Sequence, residues 1–361
     1  MGFEAAPFDV VEASRRVWLE RWEAEAASGM AVFTSVLRTY QLLNDQVDRV
    51  MRRHDLTFAR HQVLAWLAMD PESSLTLSWI SKTLRACVRD PKVVAGGGFI
   101  LFLLVLAIGA PELAPKDPLE QDLILGVTPP HGFAGAEPGY LLGTDDLGRD
   151  VLSRLIWGSR VALTVAFVAA TLAAALGAAL GLVAGWYRGW VDAIISRLVE
   201  IWMAFPPVLL SILLVAVFGA GVGSVIGAIA IIDWTRFCRV IRAETMGQAK
   251  SDYVTAARAI GFSPMRVLTR EILPNVAPVL IALISLEMGI AVIVEAILSF
   301  VGLSVSSDTP TWGGMIAQGR QLLHEGWWIL AAPLTLLFLT VLAFNMLGEG
   351  LRRALDPVLR R

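Results

Sequence analysis

Apolar residues in this chain gather into runs of roughly bilayer length, and polar residues collect between them. A helix crossing about 30 Å of hydrocarbon needs about 20 residues at 1.5 Å rise each. Six stretches approach that length: 93–110, 161–186, 205–219, 222–237, 276–303 and 327–347. The third and fourth are short, and "GAGVG" supplies a turn between them. An amphipathic run over 191–202 ends at Pro206-Pro207, where a cytoplasmic or interfacial helix is expected to turn into the third span. The pattern predicts an all-α polytopic membrane protein with six transmembrane helices.

Composition points the same way: 56% of residues are hydrophobic and only 17% charged, outside the range of soluble domains. Mean hydropathy is +0.63. The net charge of −2 argues against wholesale binding to nucleic acid or anionic surfaces. Cys87 and Cys238 are too few and too far apart for a disulfide framework or metal cage, and read as small hydrophobes. His54, His61, His131 and His324 are scattered with no H-E-x-x-H, so no metal site is expected. No G-x-x-x-x-G-K-[ST] loop occurs, so the chain has no evident phosphate cradle for ATP. It is not expected to be an enzyme or to hold a cofactor, and its power must come from another subunit or an ion gradient.

Basic residues flanking spans stay on the cytoplasmic side. With the N-terminus inside, the inner segments carry Arg85, Arg89, Lys92, Arg188, Arg197, a central basic cluster, and Arg352, Arg353, Arg360 and Arg361. Between the first two spans acidic residues dominate, and the last outer loop has only Arg320. Both termini are therefore expected in the cytoplasm.

The inner segment "SDYVTAARAIGFSPMRVLTREILP", 251–274, is polar and basic between two greasy runs. Tyr253, Ala256, Ala257 and Ile260 fall at i, i+3, i+4 and i+7, a narrow apolar face on a short helix with Ser251 as cap and Gly261 as stop. A second helix is expected from Ser263-Pro264 to just before Pro274. By spacing alone, the first helix either docks into a groove of another protein or lies on the membrane surface.

Elsewhere, Gly177, Gly181, Gly185 and Gly189 follow Ala173 at every fourth residue, a small-residue stripe suited to close helix contact. Asp233, Glu287 and Glu295 lie within spans, where ionisable groups are costly and mark a pathway or a buried pair. Asp233 has Arg236 and Arg239 nearby for pairing. Glu287 and Glu295, two turns apart, suit either a pathway through the membrane or packing against another membrane subunit. A proton-coupled secondary transporter is the alternative that such carboxylates would serve.

"TAARAIGFSPMRVLTREILP" resembles the EAA signature of bacterial ABC importer permeases. Ala256, Ala257, Gly261, Leu273 and Pro274 match it, while Thr255 replaces its glutamate and Glu271 stands where isoleucine is frequent. "LLGTDDLGRDVLSRLIWGSR" (141–160) and "EAILSFVGLSVSSDTPTWGGMIAQGR" (295–320) are similar to stretches of the dipeptide, oligopeptide and nickel permeases, specifically the second permease of each pair. "SVSSDTP" departs from that pattern. The resemblance covers 85–361. It implies a permease subunit in the bacterial inner membrane whose 251–262 helix, including Tyr253, Thr255 and Ile260, inserts into an ATPase subunit. It also implies a homologous second permease, two ATPase subunits carrying ATP and Mg, and an extracytoplasmic substrate-binding protein. The implied cargo is a peptide or a related small solute such as a nickel chelate.

Residues 1–84 form a helical module that resembles the front part of MarR-type winged-helix regulators, through "LTFARHQVLAWLA" and "LTLSWISKTL". Those regulators continue into a recognition helix and a β-wing, whereas this chain proceeds through "RACVRDPK" into the membrane. Lacking the helix that reads the major groove, the module is expected to be a cytoplasmic appendage, vestigial or interacting, rather than a specific DNA reader. A membrane-tethered regulator is the remaining alternative.

Overall fold

The computed structural model describes residues 87–304 and 309–355, and the appendage expected over 1–84 lies outside them. Among the described residues the fold is helical, with one isolated bridge between Thr144 and Asp150 and no strand.

Helix α1 (Pro91–Ile108) starts where Asp90 accepts hydrogen bonds from the Lys92 and Val93 amides and Pro91 fills the first position. A single turn, α2 (Ala110–Leu113), leads into the irregular 114–150 segment. Helix α3 (Val151–Tyr187) is capped by Asp150 and is 37 residues long. At Arg188-Gly189 the chain takes positive φ and turns into α4 (Gly189–Met203), which meets α5 (Pro207–Phe218) at 87°. After a glycine turn come α6 (Val222–Gln248) and the short α7 (Asp252–Ala259). Next are α8 (Pro264–Val267), a π-turn (Leu268–Ile272) and α9 (Leu273–Phe300). Helices α10 (Trp312–Gln321) and α11 (Trp327–Leu355) complete the described chain.

Among the described residues, four helices are long and apolar enough to cross a membrane: α1, α3, the continuous helix over 264–300, and α11. The bent α4–α5 pair adds a fifth if counted as one span. Helix α5 alone has 12 residues, about 18 Å, and would cross little more than half of the roughly 30 Å core. Helix α6 is about 40 Å long but carries Asp233, Arg236, Arg239 and Arg242. Six spans thus require both α6 and the bent pair to cross.

A helix stop expected from the sequence is absent. The helix expected to stop before Pro274 runs on to Phe300. Proline lacks an N–H and crowds the carbonyl four residues back. The π-turn absorbs this: the Leu273 amide donates to the Leu268 carbonyl, five residues back, and Pro274 falls in the first turn of α9.

The core is built on close backbone approach. Gly177, Gly181 and Gly185 of α3 lie against α6, where an added Cβ at Gly181 would stand 2.7 Å from the Cys238 carbonyl oxygen and one at Gly185 2.7 Å from Thr245 Cβ. Gly189, next in the stripe, is past the α3 terminus. Helix α9 packs on α3 and α11, and α1 closes the other side of α11. Lys92 at the start of α1 pairs with Glu349 near the end of α11 at 2.5 Å.

Candidate functional site

Three polar constructions stand out against this apolar scaffold. The first is the α6–α9 connection. Val254 and Ala257 of α7 are buried in a cluster with Ile241, Val267, Leu268, Ile272 and Val276. This inward face overlaps in part with the one drawn from sequence: Ala257 and the half-buried Tyr253 pack into the chain's own cluster, Ala256 and Ile260 are half-buried, and Val254 was missed. Asp252, Thr255 and Arg258, at i, i+3 and i+6, are exposed, so the outward face is polar. Tyr253 donates from its hydroxyl to Gln248 Oε1 at 2.8 Å, and burial, then the nearby Glu271 carboxylate, pushes its phenol above the ordinary value. It therefore stays a donor at neutral pH.

Gly261 follows with φ +86°, a left-handed turn that L side chains resist. Ser263 then caps α8, and Phe262 lies under the Arg266 guanidinium at 4.0 Å. Pro274 is exposed on the far side of the π-turn.

The second construction crosses α6 and α9. Glu287 is 1% exposed and accepts from Arg236 at 3.2 Å, while its other oxygen has no partner among the described residues. Asp233 is also buried, 4.0 Å from the same guanidinium. The Arg236 side chain is 45% exposed, so the cation sits at the molecular surface above two buried carboxylates. Glu295 is separate. It is equally buried and accepts from Ser299 at 2.5 Å and Ser304 at 3.3 Å, within α9 and the turn after it. The two glutamates grouped by sequence thus have different partners. Arg236 as the partner of Glu287 went unread, because 51 residues separate them.

The third lies at the opposite end of the helices from α7 and was not anticipated. Asp145 is fully buried and accepts from the Leu147 and Arg149 amides, from Arg149 Nε at 2.8 Å and from Arg154. Arg154 also donates to Gln318 Oε1 at 2.7 Å, and the Gln318 amide donates to Asp146. Two loop carboxylates, the first turn of α3 and α10 are thereby bound together. The clue in sequence was "GTDDLGRD", which sets acids and an arginine beside the start of a helix. Among the described residues, no group of three or more His, Cys, Asp or Glu side chains is placed to hold a metal ion.

Comparison with known proteins places this arrangement. The family described as binding-protein-dependent transport system inner membrane component matches residues 177–361. The dipeptide transport system permease protein DppC of Escherichia coli K12 is 43% identical over 273 residues, 76% of this chain and 91% of that protein. The di/tripeptide transport system permease protein DppC of Pseudomonas aeruginosa UCBPP-PA14 is 40% identical over 73% of this chain and 88% of its own length. The glutathione transport system permease protein GsiD of Pectobacterium atrosepticum SCRI 1043 is 35% identical over 83% of this chain and 98% of its own. With a family match over half its length and such identities over most of it, the chain belongs to the inner membrane components of binding-protein-dependent transport systems.

Proposed function

We propose that this chain is one of two homologous permease subunits of an ATP-driven importer for a peptide or a related small solute. The second permease supplies the other half of the pathway, and an extracytoplasmic binding protein delivers the solute. Two ATPase subunits carrying ATP and Mg act at the cytoplasmic face, where both termini lie. The named transport activities of the three relatives support the cargo class.

The observation that carries the mechanism is the two-sidedness of α7. Its inner face is locked into the cluster under α6, α8 and α9, while Asp252 and Thr255 on the other face stay exposed. A push on the free face therefore moves those helices together, because packed interiors transmit strain. In this reading ATP-driven closure of the ATPases reaches α6 and α9 through α7. Arg236, too costly to leave in lipid, marks the side of these helices that faces the pathway or the second permease, with Glu287 holding it in place. Glu295 serves packing at the other end of α9.

Thr255→Trp tests the mechanism, because Thr255 is exposed and its hydroxyl donates only weakly, to the Ser251 carbonyl at 3.4 Å. In proteoliposomes holding the full assembly, uptake and solute-stimulated ATP hydrolysis should fall while membrane insertion is unchanged. Unaltered coupling would remove α7 from the mechanism.

A further inference from the structure

Between α1, α3 and α11 lies a cleft of about 480 Å³. Its walls begin near the helix ends that border the 114–150 segment and reach furthest along α11. On α11 the lining extends from Trp327 to Leu339, about 18 Å by helical rise. On α1 it includes Leu106 and, a turn deeper, Leu103; on α3 it runs from Leu152 to Ser159. The α11 wall is about as deep as one leaflet, half of a roughly 30 Å hydrocarbon core.

The mouth is built rather than incidental. Trp328 donates from Nε1 to the Thr144 carbonyl at 3.2 Å, and Trp327 meets Trp328 and Phe133 edge to face, each at 6.1 Å. Indoles with an apolar body and a polar handle favour the level of lipid headgroups. Below them the side-chain hydroxyls of the lining are those of Ser159 and Thr335, and Ser159 already donates to the Ile156 carbonyl at 2.5 Å. The flanking surface, through Phe102 and Val105 on α1 and Phe338 and Leu342 on α11, is exposed and apolar, so the cleft continues a lipid-facing wall.

We propose that this cleft holds one acyl chain of a phospholipid from the leaflet beside the 114–150 segment. An extended peptide would bring backbone N–H and C=O groups for which the cleft has almost no partners. A helix satisfies its own backbone but is about 10 Å wide, and 480 Å³ spread over such a depth is too narrow for it. A hydrocarbon chain meets neither obstacle. It would wedge α1 against α11 and fill the apolar surface between them.

The test uses the full assembly in vesicles doped with one of two photoreactive phospholipids, bearing the diazirine either near the acyl carbonyl or near the terminal methyl. Labelled positions are mapped by mass spectrometry of peptides. The carbonyl-end probe should mark Phe133 and Trp327, and the methyl-end probe Leu103, Ser159 and Leu339. Ala331→Trp, which fills the cleft, should abolish both while sparing Phe102 and Phe338. A flat or inverted depth pattern in the unaltered protein would overturn the proposal, as would labelling indifferent to Ala331→Trp, which is what ordinary surrounding lipid gives. Cross-links from the cleft to another protein chain would also overturn it. The readout is lipid contact rather than transport, so it stands or falls apart from the transport reading.

Discussion

At Gly181 an added methyl group would meet the Cys238 carbonyl oxygen at 2.7 Å and the Arg242 amide nitrogen at 3.0 Å. Gly181→Ala should force α3 from α6 and cost about 1–3 kcal/mol. Gly98→Ala on α1, where a Cβ meets nothing within 4 Å, should be neutral or gain up to about 1 kcal/mol of helix propensity. Thermal unfolding of the purified protein in detergent distinguishes them, and equal midpoints would contradict the close approach. Arg236→Met would leave Asp233 and Glu287 buried without a cation. Because that arginine is half exposed, the loss should stay below the roughly 3–5 kcal/mol of a fully buried pair. Adding Glu287→Gln to Arg236→Met should recover part of the unfolding midpoint, and no recovery would argue against the pairing. The glycine stripe was legible because its spacing is local. The helix it meets, and the partner of Glu287, depend on which spans become neighbours, and periodicity carries no such information.

At the scale of elements, the α7 to α9 connection shows both the reach and the limit of pattern reading. The short helix and its glycine stop are there, and Ala257 and Tyr253 of the expected face do pack into the cluster, but Val254 was missed and Ala256 is only half-buried. Seven residues over 253–260 other than Arg258 can pass as apolar or small, so the wheel is nearly degenerate. What decides the face is the Val267, Leu268 and Ile272 surface that follows, brought back under α7 by the turn at Gly261. Gly261→Ala should therefore cost about 1–2 kcal/mol through left-handed strain alone, with Gly261→Asn less damaging because asparagine visits that region more readily. Unfolding midpoints ordered otherwise would contradict the geometry. Pro274 misled for a related reason: proline reads as a helix stop, yet a π-turn one step earlier, where Leu273 donates to the Leu268 carbonyl, carries the helix past it.

For the whole molecule, composition and run length sufficed for a helical membrane protein, while the number of crossings was less legible because α5 is short and α6 is charged. The far-end clamp around Asp145 joins residues more than 160 positions apart through Gln318, beyond any local signal. Asp145→Asn should leave Arg149 and Arg154 without their shared carboxylate, lower the unfolding midpoint, and expose the 143–150 segment to protease. An unchanged digestion pattern would mean the clamp is not what orders that segment. The central claim, that force from ATPase partners enters through the free face of α7, is tested most directly by Thr255→Cys in sealed vesicles of known orientation. A membrane-impermeant maleimide should label that cysteine only from the cytoplasmic side, and bound ATPase subunits should block the reaction. Labelling from the external side, or labelling indifferent to the ATPase subunits, would contradict it.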